Sequence, residues 1–197
     1  MKPDRLLIMK LSLATLVGMP LVAVIIDFFS ETVSLSATII GKAPLWEQLL
    51  IGIGLGIVSA ALAHVVLSLP FMKEVNTKYV NLFAQFKLGW NEIMFVSFCA
   101  GVGEEILFRG AIQPLLGIVI TSVFFVAIHG YLNPREWRIC VYGVVLTFVI
   151  GALGYASAHV GILSAIIAHM MIDIWLLFML QRDIRAIPET EKVDEDR

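Results

Sequence analysis

The sequence predicts an all-α protein, a polytopic transmembrane helical bundle of about six spans with one short or broken helix around its candidate site. Three observations predict it. Of 197 residues, 59% are hydrophobic and only 15% charged, at a mean hydropathy of +0.89; soluble domains average about 45–50% apolar and about 25% charged. Apolar runs recur that reach the roughly 20 residues a bilayer-spanning helix needs. Most charges lie between these runs, and the few inside them sit where a charge is costly and functional by default.

The first run is Leu6–Phe29, broken only by Lys10 and Asp27. It is longer than the roughly 7–15 residues of a signal-peptide core and lacks a small-residue cleavage site, so it reads as a retained span. Lys10 can snorkel to one surface, and Asp27 lies near the opposite end. The second run, Leu45–Leu69, stops at Pro70 and carries Gly52 and Gly56 at the GxxxG spacing that lets helices approach closely in lipid. Lys73–Leu88 alternates polar and apolar residues and suits an interfacial connector, and Trp90 marks a membrane boundary. Apolar character then continues to about Gly130, with "GEEILFRG" inside it, before the polar loop "YLNPREWR". Ile139–Ser157 and Gly161–Leu180 are the last spans. Residues 1–181 thus form one integral membrane domain, with a motif-bearing core at about 90–180. Residues 182–197, with "PETEKVDEDR", read as a polar, disordered tail.

The net charge of −2 says little; the placement of Lys and Arg says more. Lys2, Arg5, Lys73, Lys78, Lys87, Arg135, Arg138 and the tail arginines fall on one side of the bundle, against Lys42 on the other. The positive-inside rule then puts both termini in the cytoplasm. No basic patch with interleaved aromatics suggests a nucleic-acid partner. Cys99 and Cys140 lie in apolar runs and read as packing residues, not a disulfide framework. His64 and His159 read as a packing and an interfacial histidine.

The intramembrane ionisable residues are Glu104, Glu105, Arg109, His129, His169 and Asp173. Adjacent helical residues point about 100° apart, so Glu104 and Glu105 cannot share one role. Glu105 and Arg109, at i and i+4, share a face and can neutralise each other. Glu104 is left for another face. If the chain reverses at Leu116–Gly117, which Pro114 and Gly117 make plausible, Glu104 and His129 lie at the same depth, about 18–20 Å from the turn. The returning arm then crosses only part of the bilayer, and a cavity opens from the cytoplasmic side. His169 and Asp173 are again i and i+4. Such a set can activate a water, with Glu104 as base, His129 assisting, and His169 and Asp173 holding the substrate carbonyl or oxyanion. Equally, the same four residues could bind a divalent metal such as zinc. The sequence leaves both open. Ser97, Ser122 and Ser164 sit in no recognisable nucleophile motif.

Three motifs in order carry a resemblance. "EEILFR" fits E-E-x-x-x-R at Glu104, Glu105 and Arg109, "FVAIH" fits F-x-x-x-H at Phe125 and His129, and "HMMID" fits H-x-x-x-(N/D) at His169 and Asp173. Over about Trp90–Leu180 the chain resembles the CAAX protease and bacteriocin-processing family, glutamate-dependent intramembrane endopeptidases that include the Ras-converting CAAX endopeptidase. The resemblance implies a membrane endopeptidase acting on membrane-associated or CAAX-type peptides that need not be prenylated. It implies Glu104 and His129 as the water-activating pair, His169 and Asp173 as the oxyanion pair, and Glu105, Arg109 and Phe125 in support. No cofactor is needed on that reading. A chain this short resembles a prokaryotic, plasma-membrane member. Asp173 departs from the Asn common in prenyl-processing relatives: ionised, it would repel an oxyanion, so it must be protonated, orient His169, or ligate a metal. The alternatives are a proton-coupled transporter, since intramembrane Glu, His and Asp also build relays, and a non-catalytic bacteriocin-immunity protein.

Overall fold

The computed structural model describes residues 5–84, 86 and 88–186. These fold into α1 (Arg5–Phe29), α2 (Leu35–Ile40), α3 (Leu45–Leu67), α4 (Lys73–Ala84), α5 (Trp90–Leu107), α6 (Gln113–Ile128), α7 (Trp137–His159) and α8 (Ile162–Ala186). A 3-10 turn at Pro70–Met72 leads into α4, and a π-helical turn at Phe108–Ile112 joins α5 to α6. Among the described residues there is no strand. The helix α8 carries Arg182 to Ala186; the rest of the expected tail, 187–197, lies outside the described residues, as do Lys2 and Lys87.

Five helical stretches are long and apolar enough to cross a membrane: Arg5–Phe29, Leu45–Leu67, Trp90–Ile128, Trp137–His159 and Ile162–Arg185. The 39-residue third stretch is bent back on itself. Gly117 takes φ 77° and ψ 167°, a left-handed region open to glycine at little cost. The rings of Phe108 and Phe125 lie 4.8 Å apart, whereas a straight helix would separate them by about 25 Å. The chain therefore reverses at Gly117, and its two arms are the long and the short member of the expected six spans. The protein is an integral membrane protein.

The five long stretches are apolar nearly all round, as lipid-facing helices are, whereas α4 is amphipathic. Phe28, Phe29, Val119 and Phe148 point outward. Close packing falls to small residues. A Cβ on Gly52 or Gly56 of α3 would strike Ser164 and Ile167, or Ala168 and Met171, of α8. On α5, Gly101 lets α8 pass at Met170, and Gly103 lets α1 pass at Thr15 and Leu16. Helix α5 is thus held between α1 and α8 at the level of its glutamates.

Polar residues sort to the two ends. At one end Arg5 meets Glu92 at 3.7 Å, Lys78 meets Glu136 at 2.8 Å, Arg138 pairs with Glu74, and Asn76 donates to Asp183 at 3.5 Å. At the other, the Lys42 and Ala43 amides donate to Val160 O at 3.0 and 2.9 Å, and Lys42 Nζ donates to Ala158 O at 2.7 Å. The basic connections counted in the sequence therefore share one end where described, opposite Lys42.

The arm after Gly117 rises only about 17 Å, whereas its neighbour α7, with 23 residues, is about 35 Å long. The start of the 129–136 loop, at Tyr131, consequently sits inside the bundle's height, and the chain climbs to the basic end by Glu136. Gly143, the seventh residue of α7, has no side chain where the Tyr131 carbonyl packs on it. Irregular backbone at such depth must be covered by protein or line a cavity. A cavity of about 260 Å³ lies there, lined by His64, Asn76, Tyr79, Tyr131, Tyr142 and Asp173, among others, with Asp183 towards the basic end.

Candidate active site

The two adjacent glutamates are built into different surroundings. Glu105 and Arg109 are fully buried, and Arg109 Nε donates to Glu105 Oε2 at 2.8 Å, as their i, i+4 spacing predicts. The π-helical turn begins between them; such turns insert one extra residue and recur at functional sites. Arg109 also donates to Gln113 Oε1 at 3.2 Å and Ile150 O at 3.1 Å, and Gln113 donates to Gly154 O at 3.0 Å. The second oxygen of Glu105 accepts from His169 Nδ1 at 2.9 Å. A buried charge is tolerable only when paired and hydrogen-bonded, and this network meets both conditions while joining α5, α7 and α8.

Glu104 points the other way. Its side chain is 12% exposed and faces His129 across the hairpin, Oε2 to Nε2, at 3.6 Å. That is too long for a direct hydrogen bond, and Oε2 has no hydrogen-bond partner among the described residues. His129 Nδ1 donates to Phe125 O at 2.6 Å, which fixes the tautomer of the neutral ring and leaves the Nε2 lone pair towards Glu104. Phe125 is buried; its ring stacks on His129 at 4.4 Å and meets His169 edge-on at 5.9 Å. It therefore sets the spacing of the two histidines.

His169 has a carboxylate at each nitrogen: Glu105 at Nδ1, and Asp173 Oδ2 at 3.7 Å from Nε2. Asp173 lines the cavity. Glu104 thus faces His129, Phe125 lies between the His129 and His169 rings, and His169 faces Asp173, the residue of this chain of contacts that lines the cavity. Glu105 and Arg109 lie behind, away from it.

His129 and His169 each commit Nδ1 to a protein acceptor, leaving only Nε2. Among the described residues, no three His, Cys, Asp or Glu side chains converge as a metal-binding set.

Two groups were not singled out in the sequence. Gln113 extends the Arg109 network to α7. Tyr131 lines the cavity beside Asp173, and its ring lies parallel to His129 at 6.4 Å. A legible signal did exist for Tyr131: Gly130, one residue past the His129 cap of α6, marks a helix-ending turn.

Residues 85–175 match the model of the type II CAAX prenyl endopeptidase Rce1-like family. The match contains all three motifs and the whole hairpin. Neither a curated protein nor a solved structure matches the chain. The matched segment spans the glutamates, both histidines and Asp173, and over it the chain is similar to the type II CAAX prenyl endopeptidases.

Proposed function

We propose that this chain is an intramembrane endopeptidase that hydrolyses peptide bonds of membrane-associated substrates by glutamate-activated water. The family supports CAAX-type protease activity in general. The observation that carries the finer reading is the facing of Glu104 Oε2 and His129 Nε2 at 3.6 Å. A water about 2.8 Å from each atom can give one proton towards each, leaving an oxygen lone pair for the scissile carbonyl. Glu104 takes the proton as the water attacks and returns it to the leaving amine. His129, fixed by Phe125 O, orients the water. His169, with a carboxylate at each nitrogen, acts as the imidazolium: Nδ1–H donates to Glu105, Nε2–H donates to the developing oxyanion, and Asp173 orients the ring.

No step of this scheme is routed through a metal. The substrate reaches the site through the cavity from the basic end, which the positive-inside rule places in the cytoplasm with both termini. A peptide or protein with its cleavage site near the bilayer surface fits this route, prenylated or not.

Cleavage of membrane-anchored peptides by the purified protein in proteoliposomes tests the reading. Wild type cuts, whereas Glu104→Gln and His129→Ala lose activity while remaining folded. Full activity in either variant removes the assignment, and solute transport without proteolysis favours the carrier alternative.

A further inference from the structure

Tyr131 lies outside the three motifs, yet the local backbone aims it at the site. Helix α6 ends with Gly130 at φ 81°. The Gly130 amide donates to Ala127 O at 2.9 Å and the Tyr131 amide to Val126 O at 3.2 Å. These are the two bonds of a Schellman cap, which folds the residue after the glycine back onto the helix's last turn. His129 is in that turn, so the Tyr131 ring comes to lie parallel to it, 6.4 Å away and 7° from coplanar. The other side of the ring is held by Tyr142, edge-on at 5.5 Å. Gly143 leaves room for the Tyr131 carbonyl, which pins the backbone as well. The phenol shares the cavity wall with Asp173.

An unmet need in the site defines what this group can do. Attack of water on a peptide carbonyl makes an oxyanion, which needs hydrogen-bond donors. Asp173 is acceptor-only when ionised and repels that charge. A phenol, with an ordinary pKa of about 10, is a neutral donor at neutral pH.

We propose that Tyr131 is a catalytic residue whose hydroxyl donates to the oxyanion, supplying the neutral donor that Asp173 cannot; this rests on the endopeptidase reading above. The water oxygen bonds to the carbonyl carbon as its proton passes to Glu104. The carbonyl π pair moves to oxygen, where Tyr131 O–H and His169 donate. That pair then re-forms the carbonyl, the C–N bond breaks, and the amine takes the proton from Glu104.

The test uses a peptide that wild type cleaves in proteoliposomes, with Glu104→Gln as the reference for the endopeptidase reading. Tyr131→Phe removes only the oxygen and keeps the ring stack. The expected result is a kcat lower by about 100-fold or more, with KM and unfolding temperature unchanged. Tyr142→Phe, one ring further from His129, costs about tenfold or less. A kcat within about threefold of wild type in Tyr131→Phe overturns the proposal, as does a raised KM at unchanged kcat. If no membrane-anchored peptide is cleaved by wild type, the endopeptidase reading itself fails, and if Glu104→Gln cleaves as well as wild type, the glutamate-activated water fails; both differ from an active Tyr131→Phe.

Discussion

Glu105 gives one oxygen to Arg109 at 2.8 Å and the other to His169 at 2.9 Å, and is closed to solvent. Glu104, one residue earlier, leaves Oε2 without a hydrogen bond and faces a histidine beside a cavity. The same residue type on the same helix is saturated on one face and left reactive on the other. The 100° step between neighbours makes this possible. The Glu105 network is rigid polar scaffolding that also fixes His169. The Glu104 face is where a further ligand can be taken up. Charge burial alone therefore does not separate the two glutamates; what distinguishes Glu104, the proposed base, is an unspent carboxylate oxygen facing a histidine.

The sharpest way to break the scaffold side is to remove its cation. Arg109→Leu leaves Glu105 buried without its main partner and should cost about 3–5 kcal/mol, read as a lowered thermal unfolding temperature in detergent. Gly154→Ala attacks the same network sterically. Its Cβ would sit 2.6 Å from Gln113 Oε1 and 3.1 Å from Arg109 Nη1, for an expected loss of about 1–3 kcal/mol. A smaller contrast separates the two glycines before Glu104. An alanine at 103 meets the Thr15 backbone carbonyl at 2.5 Å, whereas one at 101 meets the side-chain Cγ of Met170 at 2.6 Å, its nearest backbone atom being 3.2 Å away. Gly103→Ala should therefore destabilise more than Gly101→Ala, which unfolding curves of the two variants compare directly. The smallest effect concerns the reactive side: chelators such as EDTA and 1,10-phenanthroline should leave cleavage unchanged. Activity lost to chelator and restored by zinc would return the metal to the Glu104 face.

Much of this arrangement is legible in the sequence because it follows local spacing. The Glu105–Arg109 pair comes from i, i+4 geometry, and the equal depth of Glu104 and His129 comes from counting helix rise either side of Gly117. The GxxxG face of α3 was likewise readable as packing. What escaped depends on contacts without a local period. The Ile150 and Gly154 carbonyls that accept from Arg109 and Gln113 stand 41 residues away, and backbone acceptors leave no mark in composition. His169 was paired in the sequence with Asp173 alone, four residues on, but its shorter bond is to Glu105, 64 residues earlier. The π-helical turn that sets the angle between Arg109 and α6 is a product of this packing. Tyr131 sits in a loop whose polarity suggested a surface position, and only the shortness of the second hairpin arm draws it inside.

The most direct measurement compares Glu104→Gln with Glu105→Gln in one preparation, reading peptide cleavage and thermal unfolding together. Glu104→Gln should lose about 100-fold or more in activity and unfold close to wild type. Glu105→Gln should unfold markedly earlier, its activity falling with the folded fraction and the freed His169. Glu104→Gln with wild-type cleavage, or Glu105→Gln with wild-type stability, would contradict the division of the two glutamates into a reactive and a structural one.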